Sequence, residues 1–597
     1  MIKDMNLTSM KRFLILICML LGSVPFASTS FAKDADDVKP VALKNAYKSL
    51  FRITTYSADG NKIGEGTGFF VSTDGQGVAP YTLFKGAAKA ELTDCKGKVL
   101  PVYRILGASE LYDMVKFSTL GGKKIQAMPL VQSNSLKTES AVNVVRYTTN
   151  KKNLPVLTKV KTADDFDKYK YYTLSIANDS VNVSCPVLTE DGYVAAFTQF
   201  NIGGDSLDVC AIDARFVKDF SINATSAFNS DLTAIQIPKA LPENESDAET
   251  FVYMASRMDS VTAHTALNDF LTAYPENVEG YINRASFFVR YNNYTATEAD
   301  FATALEKSES PNSNYKKDEV HNAMSKQIYQ SAVAQSASLP ANWTLQRALE
   351  ESEKAYAVKP LRSYLLQQGH CLFTQKEYAK AYEKYLSVCM NESADTTQWS
   401  LQSEKETWYY ATRAYELSGG DSTRVVVLMD SVIAHLPRPV EVSDAVYYLE
   451  RAMRLERIGE YRRAVLDYNE YEKIVGNVNL NDRFYYLREQ LELQCGMYQQ
   501  ALDDITTAMA RNPHHPDYPV EHALILLRAG LYEDAAAACR EQMKTIQDNP
   551  DYYKILGIAL GELGQKKEAL KYLEKAAELC DPTVEVFLKK YADSSVR

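Results

Sequence analysis

Tyr553-Lys-Ile-Leu556-Gly557-Ile-Ala-Leu560, followed by Gly564, Ala569 and Ala576, is the stretch on which the reading of this chain turns. Gly564 closes a series, Gly459, Gly496, Gly530 and Gly564, spaced 37, 34 and 34 residues apart, and an alanine follows each by five residues: Ala464, Ala501, Ala535 and Ala569. Tyr461, Tyr498 and Tyr532 stand two residues after three of the glycines. Tyr448, Tyr485 and Tyr553 stand eleven before three of them, and Trp408 stands eleven before Gly419. A period this regular predicts stacked units of two helices. Within a unit the glycine ends the first helix, the alanine lets the second approach it closely, and the aromatics fill the space to the next pair.

The pattern resembles the tetratricopeptide repeat, whose marked positions the 553–576 unit matches almost throughout. Pro513 and Pro582 fall after second helices, where a proline separates units. Weaker copies lie upstream, around Gly369, Tyr378, Ala381 and Tyr385, around Ala348, Ala355 and Pro360, and around Asp300-Phe301 and Asp269-Phe270. An all-α superhelical array of about nine helix pairs is therefore expected over 248–590.

From about 40 to 222 the period changes. Short apolar runs such as Leu50-Phe51-Arg52-Ile53 and Tyr193-Val194-Ala195-Ala196-Phe197 alternate with Gly, Asp and Ser turns, predicting an all-β sandwich or barrel over 33–222. The run Gly66-Thr67-Gly68-Phe69-Phe70-Val71 through Asp74-Gly75 and Tyr81-Thr82-Leu83-Phe84 to Gly86-Ala87 resembles the opening of trypsin-like serine peptidases of the HtrA type. Tyr112-Asp113-Met114-Val115-Lys116, Pro186 to Val194, and Val209-Cys210-Ala211-Ile212 match that family in order. The resemblance implies a trypsin-like double barrel, with Thr82, Asp113 and Val183 standing at the places of the catalytic His, Asp and Ser.

Only Asp113 keeps the family's residue type. An acyl-transfer triad needs an imidazole to take the hydroxyl proton and pass it to the leaving group. The seven histidines are His264, His321, His370, His435, His514, His515 and His522, so none precedes residue 264. Shifting the match by one residue makes Ser184 an alternative nucleophile, with Lys85 or Lys116 as a non-standard base. Val181, Ser184 and Cys185 replace glycines there, which disfavours an oxyanion hole.

Residues 223–247, rich in Asn, Ser, Thr, Pro and acid, read as a linker. At the other end, Lys11-Arg12, the apolar run Phe13–Leu21 and Ser30-Phe31-Ala32 read as a signal peptide over 1–32, too short in its apolar part to span a bilayer. An exported, periplasmic or extracellular protein with no transmembrane segment in the mature chain is expected. Removing 1–32 takes away Lys3, Lys11, Arg12 and Asp4 and moves the formal charge from −10 to −12. Acidity, with 24% charged residues, argues against a nucleic-acid partner held by net charge, and 46% hydrophobic residues argue against a disordered chain.

The cysteines beyond the leader are too sparse for a disulfide scaffold, and Cys185 with Cys210 is the one candidate bridge. Without C-x-x-C, H-E-x-x-H or a ligand-spaced cluster, neither metal nor cofactor is expected. Arg451, Arg454 and Arg457 recur every third residue and are candidates to meet an acidic partner, against the alternative of a solvated face balanced by Glu450, Glu456 and Glu460. The sequence favours a non-catalytic scaffold that binds a protein or peptide through its repeats. Two other readings stay open: a working peptidase with an unorthodox base, and a glycan-binding protein of the envelope using exposed tyrosines.

Overall fold

The computed structural model describes residues 38–592, apart from 121–124, 134–135, 149–154, 180–181, 200–207, 337 and 391–399. The signal-peptide segment lies outside the described residues. Two compact units divide the chain, the first running to Tyr315 and the second beginning at Lys316.

The first unit opens with two closed antiparallel barrels of six strands. β1 (Leu50–Tyr56), β2 (Lys62–Phe70), β3 (Gln76–Ala79), β4 (Lys89–Asp94), β5 (Val99–Ser109) and β6 (Met114–Thr119) close in the order β1-β2-β3-β6-β5-β4. β7 (Ala141–Val144), β8 (Val156–Phe166), β9 (Tyr169–Ala177), β10 (Pro186–Leu188), β11 (Val194–Gln199) and β12 (Asp208–Asp213) close in the order β10-β11-β12-β9-β8-β7. Strand alternation explains how consecutive phenylalanines serve two cores. Phe70 meets Phe51 edge-on at 4.8 Å within the first barrel, whereas Phe69 faces Phe197 of the second barrel at 5.6 Å. A side chain on Gly68 would lie 2.4 Å from the Phe51 ring, so this residue must stay small.

Residues 223–247, expected as a linker, are laid against the first barrel. Gly86 donates its N–H to the Ala234 carbonyl and Gln236 to that of Ala87, each at 2.8 Å. Ile105 donates to Pro238 at 2.9 Å, and Ala240 returns a bond to Ile105 at 2.8 Å. Ile235 and Ile237 are buried. Four helices follow: α1 (Glu245–Ala255), α2 (Ser260–Ala273), α3 (Val278–Arg290) and α4 (Tyr294–Ser308). Asn244 and Asp259 cap the first two by accepting N–H bonds of the opening turn. Phe251, Leu267 and Phe270 from these helices join Phe51 and Phe117 in one continuous core. Arg104 of β5 grips Asp269 of α2 through two bonds of 2.8 and 2.9 Å. The first compact unit therefore includes two helix pairs and runs to Tyr315, because buried apolar area and paired backbone groups cross the segment read as a linker.

The second unit is all-helical: α5 (Lys317–Val333), α6 (Leu345–Val358), α7 (Arg362–Thr374), α8 (Tyr378–Met390), α9 (Leu401–Leu417), α10 (Ser422–Ala434), α11 (Val446–Arg457), α12 (Tyr461–Val475), α13 (Asp482–Gln494), α14 (Tyr498–Arg511), α15 (Tyr518–Arg528), α16 (Tyr532–Gln542), α17 (Pro550–Glu562), α18 (Lys566–Glu578) and α19 (Glu585–Ala592). Each helix packs on the next, as a stack of pairs requires. Gly459, Gly496, Gly530 and Gly564 sit at φ +79°, +69°, +78° and +81°, and a side chain there would meet nothing within 4 Å. The left-handed backbone, not crowding, selects glycine at these helix ends. Ala464, Ala501, Ala535 and Ala569 are fully buried between paired helices. The expected double barrel followed by a helical-repeat stack is the observed architecture.

Candidate functional site

Asp113 ends the β5–β6 turn in a left-handed conformation, φ +46°. Its Oδ1 accepts the Thr82 N–H at 2.8 Å, so it caps the short 3₁₀ turn Tyr81–Leu83. Burial lifts the Asp113 carboxyl above its ordinary range, and the hydrogen bonds from Thr82 oppose that rise. Thr82 and Asp113 are thus brought together. The neighbouring Tyr112 is tied to the second barrel: Gln199 Nε2 donates to its carbonyl at 2.5 Å, and its ring lies 4.9 Å from Phe216. The tip of the β8–β9 hairpin also reaches it, Phe166 and Tyr169 standing edge-on to the Tyr112 ring at 5.9 and 5.8 Å.

On the second barrel, Asn182 anchors the loop before β10. Its Oδ1 accepts from Arg146 Nε at 2.7 Å and its Nδ2 donates to the Ala177 carbonyl at 2.7 Å. Ser184 follows at φ +60°. The Ser184 N–H donates to the Thr198 carbonyl at 2.9 Å and the Cys185 N–H to Thr198 Oγ1 at 2.8 Å. The amides of Ser184 and Cys185 are therefore both engaged within the barrel. Among the described residues the Ser184 hydroxyl has no hydrogen-bond partner, and Val183 packs half-buried on the barrel core. Lys85 is paired with Glu110 at 2.7 Å, and burial lowers the Lys116 ammonium's affinity for its proton, which Glu243 and Asp74 partly restore.

Cys185 and Cys210, the candidate bridge, are not joined in a disulfide. Cys185 lies opposite Thr198, which pairs with Ala211 inside the barrel, while Cys210 is the next residue and faces the other side of β12. The period of two puts the thiols on opposite faces of the sheet. Burial pushes the Cys185 thiol up to about 12, which keeps it protonated and unreactive at neutral pH.

In the helical unit the three arginines of α11 are engaged internally. Arg451 holds Asp467 of α12 through two bonds of 2.9 and 2.6 Å and Asp430 of α10 through a third at 2.9 Å. Arg454 pairs with Glu450 and Glu416, and the exposed Arg457 with Glu416 at 2.9 Å. The Arg451 arrangement recurs: Arg488 grips Asp504 at 2.6 and 2.8 Å and reaches back to Asn469 and Glu472, and Arg284 grips Asp300 at 2.9 and 2.7 Å and reaches back to Asn268. Each clamp joins a first-helix arginine to an aspartate sixteen residues later, a spacing visible in the sequence but overlooked there.

The histidines are structural as well. His370 Nδ1 lies 2.9 Å from the Tyr385 hydroxyl, and burial lowers the imidazole to about 4, so it is neutral. His515 stacks on Tyr518 at 3.8 Å. Of the adjacent tyrosine pairs Tyr409-Tyr410, Tyr447-Tyr448, Tyr485-Tyr486 and Tyr552-Tyr553, the members Tyr448, Tyr485 and Tyr552 are buried, while Tyr410 is exposed. Tyr410 of α9, Val446 and Met453 of α11, and Leu487 of α13 are among the large apolar side chains exposed on successive first helices. They lie nine, thirteen, six and nine residues before their units' glycines, Gly419, Gly459 and Gly496. Offsets of i, i+4 and i+7 place them on one helix face. Such a face on neighbouring helices suits an extended peptide or a partner helix.

Among the described residues no helix is long and apolar enough to cross a membrane. Residues 434–594 match the family model described as tetratricopeptide repeat. No curated protein matches the chain. The match and the helical stack make a protein-interaction scaffold the general reading of the second unit.

Proposed function

We propose that this is an exported, non-catalytic scaffold that holds a protein or peptide partner along the exposed face formed by Tyr410, Val446, Met453 and Leu487. The carrying observation is that these apolar side chains share one face of successive first helices within the repeat stack. The barrels are then a degenerate peptidase-like body. Two features support this reading: Thr82 and Val183 at the catalytic places, and the absence of any histidine before residue 264. Export rests on the leader-like sequence of residues 1–32.

The test is capture of partners from an envelope fraction by the protein from residue 33 onward, compared with a Tyr410→Ala, Met453→Ala, Leu487→Ala variant of equal stability. A partner retained by the first and lost by the second is the expected result, since truncating central contacts commonly costs over about 1 kcal/mol each. Equal capture by both would remove the assigned face. Labelling by a fluorophosphonate that disappears on Ser184→Ala would overturn the non-catalytic reading.

A further inference from the structure

Two of the most enclosed acids in the molecule sit where the repeat pattern calls for apolar side chains. Glu489 and Glu492 of α13 are 0% and 3% exposed. Counting from each unit's glycine, they occupy the places of Ala452 and Leu455 in α11, Ala523 and Leu526 in α15, and Gly557 and Leu560 in α17, all of them buried. Three layers thus fill these two slots with hydrocarbon or glycine, and the fourth fills both with carboxyls.

Their surroundings do not neutralise them. Among the described residues Glu489 Oε1 and Glu492 Oε2 have no hydrogen-bond partner. Glu489 Oε2 accepts from Gln490, at 2.8 Å. On their own helix the single enclosed cation is Arg488, which is held by Asp504 of α14 and by Asn469 and Glu472 of α12, and comes no closer than 3.9 Å to Glu492. From α14, Asp503 and Asp504 face Glu492 with like charge. From α15, Glu521 adds another negative group beside Glu489, and the opposing Arg528 is exposed. On the α12 side, Arg462 acts on Cys495, one turn beyond Glu492.

We propose that the α13 layer is a proton-dependent weak point in the repeat stack: with Glu489 and Glu492 protonated it packs like its neighbours, and with both ionised it opens locally. Uncompensated carboxylates in an apolar interior are strongly disfavoured, so the packed layer retains the protons. Burial pushes both carboxyls up to about 8 from an ordinary value of 4.5. A folded-state value above the unfolded one means the stabilisation is complete below about 4.5 and is lost as pH rises through about 8. Leu487, on the same helix, belongs to the docking face proposed above, so that a loosened α13 would change its spacing from Met453 of α11; this consequence alone rests on that proposed function.

Hydrogen exchange on the full chain, read by mass spectrometry at pH 5.5 and pH 9 after correction for intrinsic rates, tests the device without a partner. Loss of protection at high pH confined to α13 and its contacts on α12, α14 and α15 is expected. A variant carrying Glu489→Ala and Glu492→Leu, the residue types of the neighbouring layers, should keep its protection at both values. Unchanged protection in the parent, a loss spread evenly over the stack, or an unaltered pH response in the variant would each overturn the proposal. Should the variant fail to fold, infrared spectra of the parent with isotopically labelled glutamate decide. Un-ionised carboxyl bands that persist at pH 7 and vanish near pH 9 support the device, and their absence at pH 7 overturns it. Loss of partner capture with an intact exchange signature would count against the proposed function only.

Discussion

The barrels and the helical stack treat buried charge in opposite ways. At the barrel loops Asp113 accepts the amide of Thr82, and Asn182 is held by the Ala177 carbonyl and Arg146, so each polar group is answered within its own barrel. In the stack Arg451 and Arg488 each take carboxylates from helices on both sides. The first arrangement fixes a loop; the second fixes the spacing between layers. The Ser184 hydroxyl is the exception among these barrel loops, whereas the layered ion pairs of the stack tie each helix to its neighbours on both sides.

Removing one partner from a clamp should have the largest effect. Asp504→Ala strands most of the Arg488 guanidinium in the interior and should lower stability by about 3–5 kcal/mol in denaturant unfolding of the helical unit. A loss below that from Asp113→Ala would erase the contrast drawn between cross-layer and local satisfaction. Next comes the joint inside the first unit: Arg104→Ala removes a bidentate, partly buried contact with Asp269 and should cost about 1.5–3 kcal/mol, read as a lower midpoint for the transition of the barrels. Helices that melt well before the barrels in that variant would show that the shared core is weaker than its composition implies. Asp113→Ala removes a turn cap, for which about 0.5–2 kcal/mol is expected. Smallest of all, Ser184→Ala should shift stability by no more than about 0.5 kcal/mol, because the hydroxyl has no partner among the described residues.

Much of the fold was legible because periodicity reports burial directly. The glycines at 459, 496, 530 and 564 announce left-handed helix ends, and the alanines five residues on announce close helix contacts. The barrels were legible through short alternating runs. What composition concealed was the fate of 223–247: its Asn, Ser and Pro suggested a loose connection, while the pattern Ile235-Gln-Ile237 was the faint sign of a segment laid on a sheet. The arginines at 451, 454 and 457 read as a stripe, but spacing along one helix does not say what that stripe meets. The partners that occupy them, Asp467, Asp430 and Glu416, come from other helices or earlier turns. Likewise Cys185 and Cys210 flank β11 from either side, yet strand alternation turns them apart.

The core shared by Phe51, Phe117, Phe251 and Phe270 also bears on how the chain breaks. A protease added to the native protein cleaves where several consecutive residues can leave the fold and enter its active site. The stretch from Ala234 to Ala240 is tied to the first barrel through the amides of Gln236, Ile237 and Ala240 and the carbonyls of Ala234 and Pro238, so it resists nicking despite its loop-like composition. The smallest resistant fragment bearing the barrels should accordingly carry α1 to α4 with it.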